Sequence, residues 1–355
     1  MVKIVLVGEA WGAREELFAH AFVGKAGVEL ARLLAQADLA PAPAMPYPSE
    51  LDMIWHWKTL REEHGIEITN VFNCRPPDNK IDLFFTTAKE GVPGLPSLRP
   101  GKFLIPSLLP HLERLWATLD ALRPNLIIAL GNTPCWAILG ESKISTIRGT
   151  IKMSPRLGIK TLATYHPAAI LYEGQWHLRP IVLSDLEKAK READFSEVRR
   201  IERWVHVEPT LDEISNWIDQ PAEFYAVDIE TKVKQISMIG FARSPHDAMV
   251  IPFIDENKPD YSYWPTAYEE RAAWHLADRA LKKPVGKVFQ NGVFDLSWLL
   301  RWGFRPTACI GDTMLLHHAL YPEMLKGLGF LGSIYSEEIA WKSMRTKGDN
   351  LKRDE

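Results

Sequence analysis

The sequence predicts two α/β units in tandem, and three observations support that prediction. The 355 residues exceed the usual size of a single domain, so about two domains are expected. With 46% hydrophobic and 25% charged residues, the chain can bury ordinary cores. Short apolar runs alternate with stretches of helical periodicity, which is the pattern of strands connected by helices.

The first half begins with a strand and continues with strands and helices in alternation. Val2–Val7 is apolar except for Lys3, which is typical of a strand buried on both faces. Leu30, Leu33, Leu34 and Ala37 follow the spacing of one helix face. Further elements are expected as strands at Ile66–Phe72, Asn125–Gly131 and Thr161–His166 and as a helix at Leu109–Leu122.

The charged run Leu183–Arg203 has the pattern of a solvated helix, and we place the domain boundary near its end. The predicted domains are residues 1–195 and 203–355. In the second domain, strands are expected at "FYAVDIE", "QISMIGFA", "AMVIPF" and "VGKVFQN". Helices are expected at Ala267–Leu281 and at "FDLSWLLRWG", where Gly303 ends the helix.

Composition narrows the class of protein. The net charge of −3 shows no global basic field, although a local basic groove remains compatible with it. The three cysteines include no C-x-x-C pair, so neither a disulfide framework nor a cysteine metal site is supported. No apolar run approaches the ~18 residues of a membrane span, and the N-terminus has no signal-peptide pattern. We therefore expect a soluble, cytoplasmic protein.

Polar and aromatic residues follow three of the predicted strands. The stretch "GEAWGAREELFAHAFVGKAG" begins at Gly8, Asn70 lies in "ITNVFNCRPPDNK", and His166 lies in "ATYHPAAIL". The first stretch lacks the G-K-[ST] ending of a P-loop and the spacing of a dinucleotide fingerprint. Since parallel strands end at the same edge of a sheet, these residues are expected to face one site.

Taken together and in this order, these motifs resemble the uracil-DNA glycosylase superfamily. The closest match is the branch whose pattern reads GEAPG…PFVG, then N…CRPP.N, then LG, then HP. The matching residues are Gly8–Gly12, Phe22–Gly24, Asn70 with Cys74–Pro77 and Asn79, Leu130–Gly131, and Tyr165–Pro167. The resemblance covers about residues 1–195 and implies an α/β/α sandwich with a parallel sheet.

The chemistry of uracil excision suits these residue types. Breaking the N-glycosidic bond leaves a uracil anion, so a neutral or charged imidazole at His166 would donate to uracil O2. The base must be flipped out of the stack and read by its face and its edge. Phe22 offers the aromatic face, and the Asn70 carboxamide can accept from N3–H and donate to O4.

Further roles come only from the resemblance. Glu15 falls where family members crowd C5 against a thymine methyl group. Glu9 lies in the motif that lines the sugar side. Ala10 occupies a position in the uracil site where other branches carry a water-activating aspartate. Glu9 is therefore the candidate for activating water in this chain.

The chain departs from the family pattern in two respects. Trp11 stands where the pattern has proline. Members of this branch usually hold an iron–sulfur cluster on four cysteines, of which only Cys74 has a match, and no cysteine lies between Cys74 and Cys135. No cluster is expected on ligand count.

The second half carries acidic residues in a recognisable order. "AVDIETK" places Asp228 and Glu230 on one face of a strand, since alternate residues share a face. "KVFQNGVFDLSWLL" adds Asn291 and Asp295, and "GDTMLLHHALYP" adds Asp312. This order resembles the 3′–5′ exonuclease domain of family A DNA polymerases, phage members in particular, over about residues 203–355.

The exonuclease resemblance implies an RNase H-like mixed α/β domain. Asp228, Glu230 and Asp295 would hold Mg²⁺ or Mn²⁺ for attack of water on a terminal phosphodiester. The family's third motif, Tyr-x-x-x-Asp, finds no match after Tyr335. We therefore expect a C-terminally truncated domain with weak or absent exonuclease activity.

The hypothesis from sequence is a phage-encoded, two-domain DNA-processing protein that excises uracil. Its expected partners are uracil-containing DNA, single- or double-stranded, and a downstream polymerase domain or replication partner; no membrane is expected. Two alternatives stay open. The chain could be a non-catalytic DNA- or uracil-binding module, or the exonuclease could be its main activity.

Overall fold

The computed structural model describes residues 2–232 and 234–336. The chain divides into two compact units. Among the described residues, the first comprises 2–199 and 329–336, whereas the second is Arg200–Leu328. As domains with separate functions, residues 1–195 and 203–355 remain predictions.

The first unit is built from a central sheet and flanking helices. Its strands are β1 (Ile4–Ala10), β2 (Ile66–Phe72), β3 (Phe85–Thr86), β4 (Phe103–Leu104), β5 (Leu126–Leu130), β6 (Ile151–Met153) and β7 (Lys160–Thr164). Its helices before Arg199 are α1 (Ala13–Phe18), α2 (Lys25–Gln36), α3 (Glu50–His64), α4 (Leu109–Leu122), α5 (Asn132–Leu139), α6 (Ile144–Ile147), α7 (Pro167–Ile170) and α8 (Leu178–Glu192).

The central sheet has the strand order β2-β1-β5-β7-β6. The first four strands are parallel, and β6 pairs antiparallel with β7 at the edge. All residues of β5 and β7 are buried, because helices cover both faces of a parallel sheet. Gly8 of β1 pairs with Asn70 of β2, so the predicted site residues share one edge. The predicted α/β class with a parallel sheet is confirmed.

The helix predicted as solvated at Leu183–Arg203 is wrong in both bounds and burial. Helix α8 spans Leu178–Glu192 and buries a face that includes Leu186 and two charged residues, Asp185 and Lys188. Both charged side chains have hydrogen-bond partners elsewhere in the first unit. The pattern of charges in the sequence cannot reveal such partners.

The second unit is described by its own sheet and helices. Its strands are β8 (Trp204–His206), β9 (Phe224–Lys232), β10 (Gln235–Ser244), β11 (Asp247–Pro252), β12 (Gly286–Phe289) and β13 (Cys309–Asp312). Its helices are α9 (Leu211–Asp219), α10 (Ala267–Lys282), α11 (Gly292–Arg301) and α12 (Thr313–Leu320). Helix α13 (Leu328–Tyr335) follows, and from Gly329 it belongs to the first unit.

The second sheet is mixed, with the order β13-β12-β9-β10-β11-β8. Strand β10 pairs antiparallel with both neighbours, whereas β12 and β13 run parallel to β9 and to each other. In β9, Tyr225, Val227 and Ile229 are buried, and Asp228 and Glu230 point to the other face. The mixed α/β prediction for this half is confirmed. No helix among the described residues is long and apolar enough to cross a membrane.

Candidate active site

His166 follows β7 and caps the N-terminus of α7. The Ala168 backbone N–H donates to its Nδ1 over 3.1 Å. Because Nδ1 is an acceptor, the neutral ring carries its proton on Nε2. Burial lowers the pKa of His166 to about 4, so the ring is neutral at physiological pH. The sequence left the charge open; the structure favours a neutral Nε2–H donor.

Phe22 stacks near His166, and the two rings form one wall of the site. Their centroids lie 5.7 Å apart and their planes differ by 20°. Phe22 holds a left-handed φ of 54°, and its carbonyl accepts from Trp57 Nε1 at 3.0 Å. A Cβ on Gly27 would lie 1.8 Å from the Phe22 carbonyl oxygen, so glycine is required there. The loop conformation is therefore fixed by neighbours on α2 and α3.

Asn70 sits beside Phe22 at the end of β2. A Cβ on Gly8 would lie 2.2 Å from Asn70 Oδ1 and 2.5 Å from the Phe22 ring, which places both side chains over the same point. Arg114 fixes the backbone by donating to the carbonyls of Asn70 and Val71, at 2.6 and 3.1 Å. Within the described part of the chain, the Asn70 carboxamide makes no hydrogen bond, although the residue is only 3% exposed.

The Asn70 carboxamide can therefore bind a ligand edge. Its oxygen accepts and its nitrogen donates, which is the complement of a pyrimidine edge with an N–H beside a carbonyl. The structure therefore brings together three predicted residues, Phe22, Asn70 and His166.

Glu9 has a partner that sequence reasoning missed. Thr133, on the first turn of α5, donates its hydroxyl to Glu9 Oε2 over 2.5 Å. Burial raises the pKa of Glu9, and the hydrogen bond from Thr133 partly offsets the rise. Ala10 follows at the end of β1 and adds no functional group.

Glu15 connects two loops of the site. Its carboxylate accepts from the backbone N–H of Gly12 at 3.2 Å and of Gly24 at 2.9 Å. These bonds tie the start of α1 to the start of α2, on either side of Phe22. Glu15 thus has a holding role in the structure; crowding of uracil C5 remains a prediction.

Trp11 lies between Ala10 and the first helix. Its backbone N–H donates to the Cys74 carbonyl over 3.2 Å. Its indole Nε1 is buried and has no hydrogen-bond partner among the described residues. The proline of the family pattern could not make the backbone bond, since it lacks an N–H.

The cysteines do not fit an iron–sulfur cluster. Cys135 is buried in the core, where its thiol donates weakly to the Ala129 carbonyl, and Cys309 lies in the second unit. Burial raises the pKa of Cys74, which has no second thiol from the segment that leads to Cys135. A four-thiolate ligand set is thus not available from the residues between β2 and α5.

The acidic residues of the second unit influence one another electrostatically. Burial and the neighbouring Glu230 raise the pKa of Asp228. Burial raises the pKa of Asp295 to about 6, although its Oδ1 accepts from the Ile229 N–H at 3.0 Å. Among residues 2–232 and 234–336, no three histidine, cysteine, aspartate or glutamate side chains converge to hold a metal.

Asp312 has a structural role in the second unit. Burial raises its pKa, but hydrogen bonds from four backbone N–H groups outweigh that effect, and the pKa lies below its usual range. Two of these groups, Met314 and Leu315, lie in the first turn of α12, so Asp312 caps that helix.

A family model described as the uracil DNA glycosylase superfamily matches residues 1–187. The type-4 uracil-DNA glycosylase of Archaeoglobus fulgidus is 33% identical over 193 residues, which are 52% of this chain and 74% of the relative. The Thermotoga maritima protein of the same name is 30% identical over 190 residues, 53% of this chain and 76% of the relative.

Among solved structures, the Aedes aegypti Nibbler EXO domain is 15% identical and covers 44% of this chain and 80% of its own, with a TM-score of 0.32. That likeness is too distant to support an argument. The family model spans more than half of the chain, and the motifs that define the site lie within it. The chain belongs to the uracil DNA glycosylase superfamily.

Proposed function

We propose that the first unit excises uracil from DNA by hydrolysing the N-glycosidic bond. The observation that supports this most directly is the placement of the Asn70 carboxamide beside Phe22 and the neutral His166. Uracil would lie on the Phe22 ring and present N3–H and O4 to Asn70. Cytosine carries an acceptor at N3 and a donor at N4, so the same carboxamide orientation rejects it.

His166 stabilises the leaving group. As the bond from C1′ to uracil N1 breaks, the electron pair moves to the base and negative charge builds at O2. The neutral Nε2–H donates to that oxygen, and a neutral donor needs no proton from solvent at physiological pH. The Ala168 N–H keeps the ring in this tautomer by donating to Nδ1.

Glu9 completes the hydrolysis. A carboxylate at this position accepts a proton from water while the hydroxyl adds to C1′, and it also stabilises the positive charge of the sugar. The released uracil anion takes up a proton from solvent, and Glu9 returns the proton that it accepted to solvent. The raised pKa of Glu9 makes this residue a better base than an exposed carboxylate.

The segment after His166 provides contacts for DNA. Tyr172 and Trp176 are 69% and 65% exposed, although both are large aromatic residues. Aromatic faces stack on unpaired bases, and flipping of uracil leaves such bases beside the site. We assign this segment to the DNA interface, with single-stranded DNA as one substrate.

Base release is the direct test. The protein is incubated with DNA that contains one uracil, and the abasic site is revealed with alkali. His166→Ala is expected to slow release by about 10²–10³-fold. Wild-type protein that binds uracil-DNA but releases no base at excess enzyme would instead establish the non-catalytic binding module.

A second candidate activity belongs to the second unit. Asp228 and Glu230 share one face of β9, and Asp295 interacts electrostatically with Asp228. Such a group of acids is consistent with a 3′–5′ exonuclease-like domain, for which Mg²⁺ or Mn²⁺ on Asp228, Glu230 and Asp295 remains a prediction. Nucleotide release in Mg²⁺ that Asp228→Ala abolishes would support it.

We further infer the biological setting from this pairing of units. A uracil-excising unit joined to an exonuclease-like unit suits a phage replication or repair protein that works beside a DNA polymerase, in the cytoplasm of a bacterial host. Co-purification with a polymerase from infected cells, and its loss on deletion of the second unit, would test the partner.

A further inference from the structure

Helix α13 follows the second unit in the sequence but packs with the first unit. Residues 329–336 belong to the first unit, and Leu331 and Ser333 of α13 are buried there. The ring of Phe330, on the same helix, lies 5.6 Å from the guanidinium of Arg148. The helix therefore packs as part of the glycosylase unit.

Two buried cationic side chains, Arg148 and Lys188, donate hydrogen bonds to this helix. Arg148 donates to both carboxylate oxygens of Asp185, and its Nη1 donates to Ser333 Oγ at 2.6 Å. Ser333 in turn donates to the Phe330 carbonyl at 2.6 Å, which leaves its oxygen lone pair for Arg148. Arg148 and Asp185 are 3% and 0% exposed, so neither has water as a substitute partner.

Lys188 is held in the same way. Its ammonium donates to the carbonyls of Gly149, Ser333 and Ser336, at 2.9, 3.0 and 2.7 Å. Two of those three acceptors come from α13 and the residue that follows it. A buried ammonium without acceptors is strongly unfavourable, so this site requires the returning segment.

The network continues to the strand that positions His166. Asp185 accepts from the Thr164 hydroxyl at 2.6 Å. Thr164 is the last residue of β7, and its carbonyl accepts from the Gly131 N–H at 2.8 Å. A Cβ on Gly131 would lie 3.3 Å from His166 Cβ, so Gly131 packs closely against the base of the His166 side chain.

We propose that α13 is a positioning element of the glycosylase site, which acts on His166 through Ser333, Arg148, Asp185 and Thr164. Ser333 is the positioning residue that the returning chain supplies. The proposal rests on the function proposed above, and it adds that the residues before Arg199 do not by themselves complete the site. Helix α13, which follows the second unit in the sequence, is thus part of the structure that supports the site of the first unit.

The main test uses two substitutions at Gly332, in the middle of α13. A Cβ there would meet only Ser336 Oγ, at 3.9 Å, so Gly332→Ala fits and serves as the matched control. Gly332→Pro removes a backbone donor and breaks the helix while the rest of the chain stays in place. We expect Gly332→Pro to lower kcat for uracil release by roughly tenfold with little change in KM, because ground-state contacts are retained.

A second pair of variants tests the side chain. Ser333→Ala removes the acceptor for Arg148, whereas Ser333→Thr keeps a hydroxyl and should restore kcat. Amide hydrogen exchange of residues 160–166 gives a readout that does not depend on catalysis. Exchange should accelerate in Gly332→Pro and Ser333→Ala and stay at the wild-type rate in Gly332→Ala and Ser333→Thr.

The outcomes separate this proposal from the proposed function. Equal exchange in residues 160–166 for both members of each pair would overturn the positioning role, whatever the activity. Wild-type protein without uracil release would overturn the proposed function, while accelerated exchange in Ser333→Ala would still support the coupling of α13 to β7.

Discussion

The ionisation of His166 links the chemistry of the site to the stability of the fold. Its pKa falls from 6.5 to about 4 because burial disfavours the charged ring. Between these values the unfolded chain binds a proton that the folded chain does not. The free energy of unfolding contributed by this residue is therefore complete above pH 6.5 and is lost as the pH falls towards 4.

His166→Asn should remove that dependence, since asparagine does not titrate. We expect the free energy of unfolding of wild type to fall by about 1–2 kcal/mol more than that of the variant between pH 7.5 and pH 5. Urea denaturation at the two pH values measures both. Parallel losses in the two proteins would show that His166 titrates normally in the fold.

Thr133 should tune the acid limb of the activity profile. Its hydroxyl stabilises ionised Glu9, so Thr133→Val is expected to raise the pKa of Glu9 further. A base acts only when deprotonated, and the acid limb of kcat should therefore move to higher pH. Thr133→Ser keeps the hydroxyl and is the control; identical limbs for valine and serine would refute the role of Glu9 as base.

Residue types at strand ends were predictable, whereas their long-range partners were not. Phe22, Asn70 and His166 stood out because they follow apolar runs in a recognisable order. Thr133 lies 124 residues from Glu9, and nothing in its local sequence marks it. The tautomer of His166 likewise depends on a backbone donor that only the folded chain reveals.

At the scale of elements, Gly8 allows β1 to lie directly against the side chains of Asn70 and Phe22. A methyl group at this position would collide with both Asn70 Oδ1 and the Phe22 ring. Gly8→Ala should therefore lower kcat/KM for uracil release by about 10²-fold, since small displacements of positioning residues have effects of that size. Gly327→Ala, which meets nothing within 4 Å, is the control; equal losses would point to a general effect on folding.

The segment between β2 and α4 is held by aromatic packing. Trp136 Nε1 donates to the Pro96 carbonyl at 2.7 Å, and the Trp136 ring meets Phe85 at 5.5 Å. Trp136→Phe keeps an aromatic ring and should cost about 1 kcal/mol of unfolding free energy through the lost hydrogen bond.

The expectation that the chain holds no iron–sulfur cluster can be tested by dialysis against an iron chelator. The melting temperature of the wild type should stay unchanged, and a loss of stability with release of iron would contradict that expectation.

Element bounds were predicted well where burial and period agree. Ile66–Phe72 and Leu109–Leu122 are found as expected, since each has one clear pattern. Helix α3 was missed because only Met53, Trp57 and Leu60 are buried among many polar residues. Its Ser49 cap and its terminal Gly65 were the signals available. The hairpin of β3 and β4 has two-residue strands, too short for a period to show.

For the whole molecule, the two proposed activities should be separable by substitution. His166→Ala should slow uracil release by about 10²–10³-fold and leave any Mg²⁺-dependent nucleotide release intact. Asp228→Ala should abolish nucleotide release and leave uracil release intact. His166 lies in the first unit and Asp228 in the second. Alkaline cleavage and release of labelled 3′ nucleotides measure both in one preparation; loss of both activities in either variant would show that the units do not act separately.

The late position of α13 has a consequence for synthesis on the ribosome. Chains fold from the N-terminus as they emerge, at about 5–20 residues per second. Arg148 and Lys188 emerge well before their acceptors on α13, and the second unit must be translated between them. Until then Arg148 has Asp185 and Lys188 has the Gly149 carbonyl, but both lack their acceptors on α13. The nascent first unit therefore waits several seconds before this network can be completed.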